Sequence, residues 1–282
     1  MNILVTGANG QLATCIKKSE ASHSDFNFIY KNSDELDITD TTSVNRIFKK
    51  NAINFCVNCA AYTAVDKAES DQEKAFNVNV NGSENLARAC AEYNSKLIHI
   101  STDFVFDGSS KTPYKEDNNT NPLGVYGSTK LDGEQIIQKS FEQYFIIRTS
   151  WLYSEYGNNF VKTMLRLSEN RDELGVVSDQ FGTPTYAKDL AYVILKIIKN
   201  DSTSFGVYHY SNEGISNWYD FAVAIFDLSK IKMKVKPITT EDFPTPAERP
   251  KYSVLDKIKI KKVFDLQIPN WKTSLKKAIS NL

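Results

Sequence analysis

Met1-Asn2-Ile3-Leu4-Val5-Thr6-Gly7-Ala8-Asn9-Gly10-Gln11-Leu12-Ala13 reads as a strand, a tight turn and the start of a helix. Asn2 to Val5 is short, apolar and β-branched, as a strand buried on both faces of a parallel sheet should be. Gly7, Gly10 and Ala13 then follow the spacing G-x-x-G-x-x-A. Gly7 allows the tight turn, Gly10 lets backbone N–H groups come close to a pyrophosphate, and the small Ala13 lets the helix lie against the sheet. The new helix would present unpaired N–H groups and about half a positive charge to the phosphates. A glycine pattern alone is a weak signal. Here it precedes a helical pattern, Leu12 and Ile16 with Lys17 and Lys18 opposite, and leads into a second strand at Phe26 to Tyr30. That context favours a dinucleotide cradle in a doubly wound α/β fold over a merely structural turn.

The composition narrows the partners. A chain of 282 residues is long enough for one large domain or one and a half, with about three quarters of its unfolded surface buried. Lys plus Arg balance Asp plus Glu at 34 each, so no global field recruits nucleic acid or an anionic membrane, and a small-molecule substrate is expected. No apolar run approaches the roughly 20 residues of a membrane span, and the first strand leaves no room for a signal-peptide core, so a cytoplasmic protein is expected. The cysteines at 15, 56, 59 and 90 are too scattered for a disulfide framework. Cys56-Val57-Asn58-Cys59 matches C-x-x-C, but on a strand the two thiols point to opposite faces, which predicts two core cysteines and no metal site.

Farther along, the end of the second strand should select the cofactor. An acid there suits the ribose 2′-OH of NAD, and a cation suits a 2′-phosphate. Lys31 leans toward NADPH, while Asp34 and Glu35 just beyond leave NADH open. A helix is predicted over Thr41 to Lys50 and a third strand over Phe55 to Ala60, running into Ala61-Tyr62-Thr63, where small residues let a cofactor pass. A helical region from about Val65 to Tyr93 carries an interruption near Asn79 to Ser83. His99, inside the fourth strand (Lys96 to Ile100), reads as a core histidine. At that strand's end come Ser101, Thr102 and Asp103, and later Tyr126-Gly127-Ser128-Thr129-Lys130. On a helix Tyr126 and Lys130 lie one turn apart on one face. A free phenol titrates near about 10. A neighbouring lysine cation should lower that value and make Tyr126 a usable general acid.

Together, Gly7 to Ala13, Asn79 to Ser83, Ser101-Thr102 and Tyr126 to Lys130 resemble the extended short-chain dehydrogenase/reductase superfamily. Within it, Ala60 to Glu69, Ser101 to Gly108, Arg148 to Tyr153, Gly157 to Met164, Asp179 to Thr185 and Arg249 to Ser253 look like the dTDP-4-dehydrorhamnose reductase family, over nearly the whole chain. The resemblance implies that Tyr126 donates a proton, that Lys130 holds the nicotinamide ribose and tunes Tyr126, and that Thr102 hydrogen-bonds the substrate carbonyl. It implies a cofactor site of Gly7, Asn9, Gly10, Gln11, Leu12, Lys31, Asp37, Ile38, Ala60, Ala61, Tyr62 and Thr63 beside Tyr126 and Lys130. Thr102, Asp103, Trp151 and Asn159 would bind the dTDP-sugar. One departure stands out: the family has tyrosine where this chain has Phe104, which removes a possible polar contact near the substrate.

The later segments read as the substrate side. Residues 1–150, with a returning helix and strand about 187–208, are expected to bind the dinucleotide. Residues 151–186 and 209–282 are expected to bind the sugar nucleotide. Trp151, Tyr153, Tyr156 and Phe160 suit either stacking on a sugar or base or packing at an interface. Arg249, in a proline-stiffened loop, is a candidate clamp for the diphosphate, with a surface ion pair as the other reading. Ser216 is a candidate helix cap, and the alternating lysines of Lys230 to Lys236 suit an edge strand. A closing helix carries Trp271, Leu275 and Ile279. The predicted reaction is NAD(P)H-dependent reduction of a 4-keto sugar nucleotide by a monomer or homodimer. The rival readings are a sugar-nucleotide epimerase that retains NAD and a non-catalytic NADP-binding regulatory subunit.

Overall fold

The computed structural model describes residues 1–282. Its strands are β1 (Asn2–Thr6), β2 (Asn27–Lys31), β3 (Phe55–Asn58), β4 (Lys96–Thr102), β5 (Tyr144–Thr149), β6 (Leu152–Tyr153), β7 (Glu173–Val177), β8 (Phe181–Gly182), β9 (Thr185–Tyr186), β10 (Gly206–His209), β11 (Ser216–Asn217) and β12 (Lys234–Ile238). The α-helices are α1 (Gln11–Lys18), α2 (Thr41–Asn51), α3 (Val65–Ala68), α4 (Gln72–Phe76), α5 (Gly82–Glu92), α6 (Val125–Ser140), α7 (Phe160–Ser168), α8 (Ala187–Lys199), α9 (Trp218–Ser229), α10 (Ile258–Phe264) and α11 (Trp271–Ile279).

Six strands form one parallel sheet in the order β10-β5-β4-β3-β1-β2. The period of two along each strand divides its side chains between two cores. Ile3, Val5, Phe55 and Val57 face α1 and α8, while Leu4, Cys56 and Leu97 face α2, α5 and α6. The chain leaves β1 toward β2 on one side and returns to β3 on the other, which opens a crevice at the carboxyl ends of β1 and β3. Gly7 stands there at φ +64°, and a Cβ on it would lie 2.8 Å from the backbone of Cys59 and Ala60. Only glycine lets β1 turn this close to β3.

A separate core gathers Tyr153, Val161, Tyr186, Phe221, Ile225, Trp271 and Leu275 from β6, β9, α7, α9 and α11. Helix α8 and strand β10 belong to the central sheet, whose core holds Leu190, Ile194 and Tyr208. No helix is long and apolar enough to cross a membrane.

Several local expectations are corrected. The helical region after β3 breaks at Glu69–Asp71, and Asn77–Asn81 continues as a π-helical turn into α5. Cys56 is in the core, but Cys59 lies past the end of β3 and is only partly buried against the opposite face. Asn217, not Ser216, caps α9, its side chain accepting from the Asp220 N–H at 2.7 Å, because the helix starts at Trp218 and Ser216 lies one residue too early. Of the alternating lysine run only Lys234 to Lys236 is strand, within β12, and Lys234 and Lys236 both reach Glu173 on the adjacent β7.

Candidate active site

The crevice begins with the glycine turn. Gly10 N–H closes it on Gly7 O at 2.8 Å, and α1 then starts with no side-chain cap and no acid in its first turn. Its first backbone N–H groups therefore have no partner within the helix and face the turn. Helix ends left this way bind phosphate. Leu12 contributes only its backbone, since its side chain is in the core. Gln11 reaches the other side: its Nε2 donates to Leu152 O at 3.1 Å, and its Oε1 accepts from Ser154 Oγ at 3.1 Å.

Around this turn lie the other residues expected at the cofactor. Lys31 ends β2 and pairs with Glu35 at 3.7 Å. Asp37 is exposed, accepting from Thr39 N–H at 2.8 Å, while Ile38 is buried against Gly82, where any Cβ would lie 2.6 Å from it. Ala60 and Ala61 follow β3. Asn79 holds this loop in place: its Oδ1 accepts from Tyr62 N–H at 2.8 Å, and its Nδ2 donates to Tyr62 O at 3.2 Å and to Thr129 Oγ1 at 3.0 Å on α6. Asn79 thus fastens the loop after β3 to the helix that carries Tyr126.

Tyr126 and Lys130 start α6 over the carboxyl end of β4. Lys130 is buried. Its Nζ donates to Ile100 O at 2.7 Å and lies 3.1 Å from His99 Nε2. Burial lowers its pKa to about 8, against the pull of Glu134 and Cys59. Tyr126 behaves opposite to expectation. Burial pushes its phenol up to about 12, with only the Thr102 hydroxyl favouring the phenolate and the Asp103 carboxylate opposing it. The lysine that was to lower it is turned toward β4.

Below this pair is a buried ion pair. Arg148 Nη2 donates to Glu134 Oε2 at 2.7 Å and Nε to Oε1 at 2.9 Å. Glu134 Oε1 also accepts from Ser101 Oγ at 2.5 Å, which anchors the residue before Thr102. Asp103 is buried with Oδ2 unpartnered, and burial raises its carboxyl to about 6. Phe104 stands edge-on to Tyr126, ring centroids 5.6 Å apart, so the wall there is apolar.

The substrate-side residues are distributed differently from their expectation. Trp151, at φ +47°, stacks on Trp218 at 3.6 Å and covers Gly182, where a Cβ would lie 2.7 Å from the indole. Tyr153 is core, and Phe160 packs on Trp218 and Phe221. Asn159 caps α7, accepting from Lys162 N–H at 3.2 Å and donating to Ser154 O at 2.8 Å, so its amide is already used. Arg249 is likewise engaged. Its fork grips Asp66 at 3.0 and 2.8 Å, and Nη1 also donates to Ala247 O at 3.0 Å. Of its two readings, the structure shows Arg249 in the ion pair. The segments far apart in sequence do converge: a Cβ on Gly108 would lie 2.7 Å from Lys251 N, and Ser253 N–H donates to Phe181 O at 2.8 Å.

The whole chain, residues 1–282, matches the family model described as RmlD substrate binding domain. The chain belongs to the dTDP-4-dehydrorhamnose reductase family. It is 44% identical to the dTDP-4-dehydrorhamnose reductase of Aggregatibacter actinomycetemcomitans over 97% of both chains. A crystal structure of a dTDP-4-dehydrorhamnose reductase from Clostridium acetobutylicum superimposes with a TM-score of 0.95 at 46% identity, covering 100% of this chain and 99% of that one. The Bacillus anthracis reductase, solved in complex with NADP, superimposes with a TM-score of 0.96 at 39% identity and the same coverage. The UDP-glucose 4-epimerase of Thermus thermophilus, solved with NAD, shares the fold alone, with a TM-score of 0.84 at 17% identity.

Proposed function

We propose that this chain reduces the C4 keto group of dTDP-4-dehydro-L-rhamnose to give dTDP-L-rhamnose, with NADPH as reductant and NADH as a possible substitute. The reading is carried by one observation: Tyr126 and the buried Lys130 stand one turn apart on α6 over the carboxyl end of β4, where Thr102 lies, with Tyr126 packed on Phe104 at 5.6 Å and Lys130 Nζ donating to Ile100 O at 2.7 Å. The glycine turn and uncapped α1 fit a dinucleotide diphosphate, with Gly7, Asn9, Gly10, Gln11 and Leu12 around it. Asp37, Ile38, Ala60, Ala61, Tyr62 and Thr63 line the adenosine and ribose side. Lys31 would turn from Glu35 to a 2′-phosphate, which favours NADPH.

When bound, NADPH supplies the hydride that C4 receives. The residues of the chain manage the charge and the proton. Thr102 and Tyr126 hydrogen-bond the C4 oxygen where negative charge develops. Tyr126, un-ionised at neutral pH with its phenol near 12, keeps its proton until that oxygen is basic enough to take it. Lys130, one helical turn from Tyr126 with its amine turned toward β4, would hold the nicotinamide ribose as the ammonium. Asp103 and Trp151 hold the sugar nucleotide, with Trp151 kept in place by Trp218. Residues 1–150 with α8 and β10 would serve the cofactor, and 151–186 with 209–282 the sugar nucleotide.

The test follows NADPH absorbance when the purified protein meets dTDP-4-dehydrorhamnose, made in place from dTDP-glucose by the dehydratase and 3,5-epimerase, with NADH in parallel. Oxidation that needs protein, cofactor and sugar nucleotide together, and yields dTDP-rhamnose, supports the reading. NADPH binding without oxidation counts against it.

A further inference from the structure

Behind Lys130 a chain of buried hydrogen bonds has a direction that the backbone fixes. Ala60 N–H donates to Asn58 Oδ1 at 3.1 Å, and Thr6 Oγ1 donates to the same oxygen at 2.7 Å. A backbone N–H cannot be an acceptor, so Asn58 must keep its oxygen toward Ala60 and its Nδ2 toward His99. Asn58 Nδ2 lies 3.0 Å from His99 Nδ1, and the ring nitrogen there has to accept. A neutral imidazole that accepts at Nδ1 carries its proton on Nε2. That Nε2 is 3.1 Å from Lys130 Nζ, which already donates to Ile100 O at 2.7 Å. Two donors therefore meet unless the lysine offers a lone pair. Asn58 and His99 are each 1% exposed, so water does not resolve the conflict.

We propose that Asn58 and His99 are positioning residues that set the protonation of Lys130, the ring presenting a fixed Nε2–H that favours the amine over the ammonium. The groups facing Lys130 are His99 from β4, Cys59 from the loop after β3, and Tyr126 and Glu134 from its own helix. Glu134 and Cys59 favour the ammonium. Burial and His99 work against it, and the lysine in turn helps keep His99 neutral, whose own pKa falls well below its usual value. The result is a buried lysine that gains or loses a proton near neutral pH as its surroundings change. The inference rests on the proposed function, in which Lys130 holds the nicotinamide ribose beside Tyr126 as the ammonium. Activity would then fall on the alkaline side as Lys130 loses its proton.

Asn58→Asp reverses the chain with a near-isosteric change. A carboxylate oxygen accepts Nδ1–H, Nε2 becomes an acceptor, and the Lys130 ammonium gains a partner. Two measurements on the full-length protein decide the matter. In the first, protein labelled with ¹⁵N-histidine is examined by long-range ¹H–¹⁵N correlation, with His99 distinguished from His23 and His209 by its loss in His99→Gln. The Nε2–H tautomer across pH 6 to 9 is expected, and Nδ1–H or a doubly protonated ring overturns the proposal. In the second, kcat/KM is followed against pH. Asn58→Asp should move the alkaline limb upward by about one pH unit, a tenfold gain in relative rate above the wild-type limb, and an unmoved limb overturns the proposal. If Asn58→Asp does not fold, the wild-type tautomer decides alone. The tautomer is read without turnover, so a failure of Lys130 in catalysis, seen as full activity in Lys130→Met, is separable from a failure of the relay.

Discussion

Arg249 grips Asp66 with both arms of its guanidinium, Nη1 to Oδ1 at 3.0 Å and Nη2 to Oδ2 at 2.8 Å, across 183 positions of sequence. Asp66 starts the helix after the Ala61 to Thr63 loop, and Arg249 sits in the proline loop that leads to Ser253, beside Asp103. The pair thus ties the segment after the Ala61 to Thr63 loop to the proline loop, which the proposed function places on the cofactor and substrate sides. Asp66 is partly open to solvent, so screening leaves the pair about 1 kcal/mol or less of stability, and its consequence should be positional. Asp66→Asn is expected to raise KM for the sugar nucleotide by about tenfold while the dissociation constant for NADPH changes less than about twofold. Steady-state kinetics and cofactor titration check both. An equal loss in the two would show that the pair merely supports the fold.

In the proposed mechanism the Tyr126 hydroxyl is the proton donor to the C4 oxygen. Tyr126→Phe should lower kcat by a factor of about 10² to 10⁴, and NADPH should bind as before, because the cradle is built by the Gly7 to Leu12 turn. Thr102→Val should lower kcat as well, by about 10² or more, through loss of a donor to developing charge. Single-turnover NADPH oxidation and equilibrium titration check these expectations. Near-normal turnover in Tyr126→Phe would remove that residue from its role.

The architecture was legible because it follows from local pattern. Ile3 and Val5 against Leu4 divide the cores, and Gly7 needs its positive φ; both facts are written in the first seven residues. The six-stranded parallel sheet and the reductase family follow that reading. Partner choice across long sequence distances was not legible. That Arg249 meets Asp66, and that Asn159 caps α7 while reaching Ser154, is set by the fold and not by local sequence. The direction of the Tyr126 shift was missed because spacing alone puts Lys130 beside the phenol. In the structure Ile100 O and His99 claim its amine, and burial of the phenol outweighs what remains. His99 reads as core, and is core. Only its ring nitrogens, placed by Asn58, link it to the site.

Glu134 and Arg148 form an ion pair that is 0% and 5% exposed at the side chain, with Ser101 as a further donor. A pair this deep gains little relative to an apolar replacement, yet losing one partner strands the other. Glu134→Leu should therefore cost about 3–5 kcal/mol, and the double change Glu134→Leu with Arg148→Met should recover much of it. Urea unfolding of the three proteins tests the point. The double variant should still lose turnover, because the Ser101 hydroxyl loses its acceptor next to Thr102 and Glu134 no longer supports the charge on Lys130.

Asp103 is 2% exposed, and burial lifts its carboxyl from the ordinary 3.8 to about 6. A raised folded-state value means that the native protein binds this proton more tightly than the unfolded chain. The corresponding stability is fully present below about pH 3.8 and is lost as pH rises through about 6. The interval from 3.8 to about 6 corresponds to roughly 3 kcal/mol, so above pH 6 the carboxylate strains the fold by up to that amount. Asp103→Asn removes the charge and should be more stable than the parent by about 1–3 kcal/mol at pH 8, the advantage shrinking toward zero at pH 4. The same change should lower kcat/KM for the sugar nucleotide, which the proposed function has Asp103 hold. Urea unfolding at pH 4, 6 and 8, alongside kinetics at pH 8, tests the two together. A gain in stability that does not depend on pH would show that the carboxyl carries no such strain. A gain at pH 8 with unchanged kinetics would remove Asp103 from the substrate site and leave Thr102 and Trp151 to hold the sugar.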